Sequence, residues 1–244
     1  MQMFVRPINC HDCGNGFHAL GHVVDYAQQQ GQEIIDIAGE DANKDPVYTA
    51  IDSNNPSHFY GFGHGSSTRF TGDSEQDIFT VNECDKLAGK EVYLLSCLTA
   101  NSLGPAIIQN GATAYAGYRI SWTWVSDSGS DGDPYQDLYA KGFYESANEL
   151  WVALIDGASF EMAVQAAIDK YNEWIDYWFD VNPEAPQSQD ALMWLIHDRN
   201  GLVALYPGME METTTNWPLI IIGASIAIGL AYFVLKPAPM LKRA

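Results

Sequence analysis

Short apolar runs separated by polar, glycine-rich punctuation set the pattern of this chain. His58, Phe59, Tyr60, Gly61 and Phe62 form one run, which stops at Gly63-His64-Gly65-Ser66-Ser67. Residues 91–96 form another and end on Cys97. Both runs are short, bounded by turn residues and rich in aromatic or aliphatic side chains, so both predict buried strands. The first eight residues predict an earlier strand, 17–30 a helix and 32–38 a second strand. A short helix is expected from Asp45-Pro46-Val47, with proline at its first position. The order strand–helix–strand–helix–strand implies a parallel sheet with helices on both faces. Residues 66–90 are polar and turn-rich and read as an excursion between the strands ending near His64 and Cys97.

Beyond Cys97 the pattern continues. Residues 102–110 suit a helix stopped by Gly111, and 112–116 suit a strand. Residues 135–155 carry Leu138, Phe143, Leu150 and Leu154 at helical spacing. Residues 160–179 form an amphipathic stretch rich in aromatics, with Tyr171, Trp174, Tyr177 and Trp178, which reads as core. Residues 189–197 fit a helix or a strand, Asn200-Gly201 a turn, and 202–206 a final short strand. The domain closes at Gly208, giving a unit of residues 1–208.

Neighbouring parallel strands end on one edge of the sheet, where open α/β sheets place their sites. His64 and Cys97 each follow such a strand, so the pattern sets them side by side. A free thiol is only partly ionised near neutral pH, and an adjacent imidazole activates it. Glycines beside His64 allow close approach to a substrate, and the Gly65 and Cys97 amides would face a developing oxyanion. The plainer reading is a buried small hydrophobe and a turn histidine.

The chain has 244 residues, 47% of them hydrophobic, enough for one sizeable domain with an appendage. Its 31 acids against 12 bases give a formal charge of −19, which disfavours nucleic acid as a partner. Four cysteines, Cys10, Cys13, Cys84 and Cys97, are too few for a disulfide scaffold at this size. Cys10, Cys13, His18 and His22 make a C-x2-C-x4-H-x3-H pattern that invites a zinc reading. Against it, both histidines fall within the helix expected over 17–30, and no metal site is expected.

A strand into Gly63-His64-Gly65-Ser66, then a strand into Leu94-Leu95-Ser96-Cys97, then a helix and a strand reaching Ala116-Gly117-Tyr118, resembles the caspase-like (clan CD) cysteine peptidases. The gingipain-like branch is the nearest. The resemblance spans about residues 3–207, and its specific part lies within 58–124. It implies an α/β sandwich of the caspase and gingipain kind, with a mostly parallel central sheet and helices on both faces. It implies a cysteine endopeptidase with His64 as general base and Cys97 as nucleophile, acting on a peptide or protein substrate with no cofactor required.

In that family the loop after the first strand lines the pocket for the residue before the scissile bond, or orients the histidine. Asp12 is the candidate for either role. Residues 117–124 would form a wall of that pocket, with Trp122 matching the gingipain-like pattern. Arginine-specific members often carry Asp two residues before the cysteine, and Leu95 stands there instead. Arg119 would favour an acidic residue, as in caspases. A catalytically weak relative serving as a membrane-tethered binding platform is the alternative.

Asp127, Asp131 and Asp133 lie in a Gly/Ser-rich loop resembling part of a calcium site, but the twelfth position is Leu138 rather than Glu. A looser calcium site or a processing loop stands beside the plain reading of a solvated surface loop. Residues 209–216 form a polar linker. Residues 217–235 then run without a charge, opened by Trp217-Pro218, and are expected to cross a lipid bilayer as a helix. Gly223, Ala227 and Ala231 share a face at four-residue spacing, which suits helix pairing. The tail, 236–244, carries Lys236, Lys242 and Arg243. Those charges favour a cytoplasmic tail, while the lack of a signal peptide favours a cytoplasmic catalytic domain, so sidedness stays open.

Overall fold

The computed structural model describes residues 1–127 and 132–209. Six strands make the main sheet: β1 (Gln2–Arg6), β2 (Ile34–Ala38), β3 (His58–Phe62), β7 (Glu91–Leu95), β8 (Ala114–Tyr118) and β9 (Leu202–Leu205). Their spatial order is β2-β1-β3-β7-β8-β9. All neighbours are parallel except β8 and β9, which are antiparallel. Between β3 and β7 the chain builds a second sheet of β4 (Gly65–Ser66), β5 (Arg69–Thr71) and β6 (Asp77–Thr80). The polar excursion expected over 66–90 is therefore partly ordered as strands. Phe70, Ile78 and Phe79 are fully buried there and tie it to the core.

Side chains alternate across the parallel strands. Met3, Val5, Phe59, Val92 and Leu94 point to one face, which is covered by α2 (Lys44–Asn54) and α3 (Leu103–Gln109) through Val47, Ile51, Leu103 and Ile107. On the other face Tyr60 and Tyr93 pack against Trp151 of α4 (Ala140–Ile155), at ring-centre distances of 3.5 and 4.2 Å. That layer also holds α1 (Gly14–Gln29) and α5 (Phe160–Asp176). Strands buried on both faces read as continuous apolar runs, which is why β3 and β7 stand out in the sequence.

Local differences from the sequence reading have simple causes. Pro46 is the third residue of α2 and not the first, where its missing N–H still leaves no helical bond unmade. Asn200-Gly201 is no turn: α6 (Ser188–Gly201) runs through it, and the glycine is there because Ile120 packs too closely for a side chain. The helix expected from residue 135 begins at Ala140, where Asp137 accepts from the Tyr139 and Ala140 amides at 2.9 and 2.8 Å. Residues Tyr177–Val181 widen into a π-type turn. Among the described residues no helix is long and apolar enough to cross a membrane. The expected span 217–235, its tail, the linker beyond residue 209 and Asp131 all lie outside the described residues.

Candidate active site

Register places the two central side chains. Phe62 of β3 pairs with Leu95 of β7, and His64 and Cys97 each stand two residues beyond that pair. They line one cavity of about 330 Å³, with Asp12 and Cys13 on one side and Trp122, Thr123 and Trp124 on the other. A larger depression of about 630 Å³ lies over Lys44 and Arg69, and the described residues that line it include no cysteine, serine or histidine. Arg69 there pairs with Asp77 at 3.3 Å, the surface ion pair its setting suggests.

Glycine at 65 is a steric requirement. A Cβ there would meet Ser96 Oγ, come within 2.7 Å of Thr99 Cγ2 and within 2.9 Å of the Cys97 carbonyl. The two strand-end loops thus touch backbone to backbone. Leu98, next to Cys97, has φ 63°, and Asp12 has φ 59°. Left-handed conformations of this kind are costly for side chains other than glycine and cluster at functional sites.

His64 Nε2 lies 2.6 Å from the His11 carbonyl oxygen. A carbonyl only accepts, so Nε2 carries the proton and the neutral ring keeps its lone pair on Nδ1. The loop after β1 therefore orients the histidine, through the main chain of His11 and not through the Asp12 carboxylate. Asp12 lies 3.0 Å from the His11 ring. The sequence does not single out His11, because a main-chain carbonyl leaves no residue-type signal.

Cys97 is half-buried and free. Its S–H donates to the Trp122 carbonyl at 3.5 Å, and burial pushes its pKa up. The resting group is thus the thiol. Trp122 is held by its own side chain: Nε1 donates to Tyr171 Oη at 3.1 Å. Tyr171 meets Tyr118 at 3.0 Å, and Tyr118 meets Tyr93 at 3.1 Å. Asp198 of α6, fully buried, accepts from the Thr123 amide with both oxygens at 3.4 Å. Burial holds its carboxyl well above the usual carboxylate range. Arg119 is not among the residues lining the cavity.

The Cys10, Cys13, His18, His22 set does not assemble. Cys10 and Cys13 are joined by a disulfide. His22 bonds Asp133 at 3.0 Å and stacks on Tyr135, and His18 is exposed. The histidine that approaches the two cysteines is His64, from another strand end. Asp133 also caps the turn at Tyr135, and the Asp127 amide bonds Asp137, so two of the three expected calcium carboxylates sit on residues with local partners.

No family model and no curated protein sequence matches this chain. Among solved structures it is similar to the complex of Porphyromonas gingivalis RgpB pro- and mature domains. The two are 12% identical over 83% of this chain and 46% of that one, with a TM-score of 0.51. A second structure, described as a protease, is 15% identical over 86% of this chain and 48% of that one, with a TM-score of 0.47. The chain spans about half the length of each. At such identities the likeness is one of fold, and the class it defines is a mixed α/β protein with the caspase- and gingipain-like arrangement of a mostly parallel six-stranded sheet.

Proposed function

We propose that the chain is a cysteine endopeptidase with Cys97 as nucleophile and His64 as general base. The observation that carries this is the equal overhang of the two residues past a register pair, which turns both into one cavity. Cys97 swings its thiol from the Trp122 carbonyl toward the substrate carbonyl. His64 Nδ1 takes the proton as the Sγ–C bond forms, and the Gly65 and Cys97 amides receive the oxyanion. The C–N bond then breaks as the same proton passes to the leaving amine. Water, with His64 again as base, hydrolyses the thioester. Likeness to the RgpB complex, whose fold this chain shares, supports the reading.

Among the described residues Asp12 is the one acidic side chain lining the cavity, and Arg119 is not among those that line it. This favours a basic side chain before the scissile bond over an acidic one. Residues 217–235 would hold the enzyme to a bilayer, as their uncharged sequence suggests. Calcium would act through the carboxylates of Asp127 and Asp133, which the sequence sets in one Gly/Ser-rich stretch. The second reading is a binding platform without turnover. The protonated thiol, already engaged with Trp122, is what favours it.

The test is hydrolysis of a peptide library by the full chain, with and without calcium. Cys97→Ala and His64→Ala are each expected to lower kcat/KM by at least about 10³-fold with the fold retained. Asp12→Asn is expected to weaken any preference for Lys or Arg. Turnover that survives Cys97→Ala would rule out the dyad, and an intact, unreactive wild type would leave the binding platform.

A further inference from the structure

The disulfide Cys10–Cys13 brackets His11, whose carbonyl orients His64. A ring nitrogen of His64 and the two sulfur atoms all lie within 4.8 Å of one another. We propose that, once this disulfide is reduced, the two thiolates and His64 form a zinc site. The idea that this silences the chain rests on His64 being the general base.

The chemistry of the donors fits. Two cysteines separated by two residues are a common half of a zinc site, and imidazole completes a Cys2His set. In a tetrahedral site, sulfur and nitrogen ligands stand about 3.5 Å apart and two sulfurs about 3.8 Å apart. His64 need only close in slightly at most, while the sulfurs part once their bond is gone. Zinc would take one ring nitrogen of His64 while the other keeps its proton for an acceptor, the arrangement that fixes a metal-ligating histidine. Cys13 is buried, while Cys10 and His64 are half-buried, so the ion would sit at the cavity rim with a fourth position for water.

The balance is simple. A dithiol delivers two electrons, opening the protein disulfide and closing its own. Zinc then displaces the protons of the two thiols and takes the one basic lone pair of the His64 ring, which would otherwise accept the proton of Cys97. Oxidised, the loop has no thiolate to offer. Reduced and zinc-loaded, it removes the base. The site thus couples activity to redox poise and metal supply.

The experiment uses the full chain carrying Cys97→Ala, so that Cys97 contributes no thiolate. It is reduced anaerobically with a phosphine, freed of reductant and titrated with cobalt(II). One cobalt per chain is expected, with a thiolate-to-cobalt charge-transfer band and a tetrahedral visible spectrum, displaced by one equivalent of zinc. The band should vanish in Cys10→Ser/Cys13→Ser and in the unreduced chain, and should lose intensity and weaken at least tenfold in affinity in His64→Ala. No band in the reduced chain, or a band indifferent to any of these changes, overturns the proposal. In the chain with Cys97 intact, one equivalent of zinc should cut hydrolysis at least tenfold after reduction, reversed by a chelator. Full hydrolysis in the reduced, zinc-loaded chain also overturns it. The expected cobalt spectra without hydrolysis in any state would support the metal site while the peptidase reading fails.

Discussion

His64 and Cys97 reach the cavity from the ends of two hydrogen-bonded strands, two residues past a register pair. Trp122 reaches it from a stretch outside any strand, held from above by Tyr171 of α5 and, one residue on, by Asp198 of α6. On the other side Asp12 and Cys13 are held by a disulfide and a left-handed residue. The floor is thus fixed by sheet geometry, the walls by contacts from elements far along the chain. A floor of this kind is rigid because moving it means breaking a ladder. A wall of this kind depends on a few identifiable bonds. The comparison makes a graded forecast: damage to the floor should cost most, and damage to the supports of a wall should cost less.

Among changes that leave the His64–Cys97 pair itself intact, the largest effect is expected from Gly65→Ala. The added methyl meets Ser96 Oγ and the Cys97 carbonyl, so the two strand ends must part. A displacement near 1 Å at reacting groups costs about 10²-fold in rate. Forcing an extra methyl into a packed site also destabilises by about 1–3 kcal/mol. Peptide hydrolysis and thermal melting of the variant read the two losses separately. Wild-type kcat/KM in Gly65→Ala would mean that the floor is softer than the register implies.

The difference between floor and walls is also a difference in what the sequence discloses. β3 and β7 are buried on both faces, so Phe59-Tyr60 and Val92 through Leu95 form unbroken apolar runs whose ends are visible. The glycines around His64 suggest close approach to a substrate, whereas the contact that requires Gly65 is with the Cys97 peptide. Parallel order follows from the alternation of strands with helices, so side-by-side placement of His64 and Cys97 could be anticipated. The walls left weaker traces. The His11 carbonyl has no residue signature. The disulfide looked like half of a Cys2His2 pattern, because spacing along α1 says nothing about a histidine 51 residues beyond Cys13. Asp198 sits in a helix whose hydrophobic periodicity is weak, and its burial follows only from packing under Thr123.

A smaller effect is expected from Tyr171→Phe. It leaves every cavity-lining side chain in place but strips the acceptor from Trp122 Nε1 and a partner from Tyr118. A buried donor left unpaired costs about 1–3 kcal/mol. Part of that should appear as misplacement of the Trp122 wall, lowering kcat/KM by about tenfold. The loss should fall mainly on KM, because the wall holds substrate while the floor carries the chemistry. A loss confined to kcat would assign Trp122 to holding the thiol instead, through its carbonyl.

The smallest effect is expected from Asp198→Asn, and it concerns stability against pH. Burial raises the folded-state pKa of Asp198 well above its ordinary 3.8. Below about pH 4 folded and unfolded chains both carry the proton, and the residue makes no pH-dependent contribution. As pH rises past that point the unfolded chain ionises while the buried carboxyl holds its proton. Stability is then lost progressively up to the folded-state pKa. Asparagine keeps the shape and an acceptor for the Thr123 amide but does not titrate. The variant should therefore melt with the wild type near pH 4 and above it near pH 8, by about 1 kcal/mol or about 2–4 °C for a unit of this size. A variant less stable than wild type at pH 8 would mean that the carboxylate is charged and needed there. The wall would then be held by an ionised acid, and its support would rank with the floor.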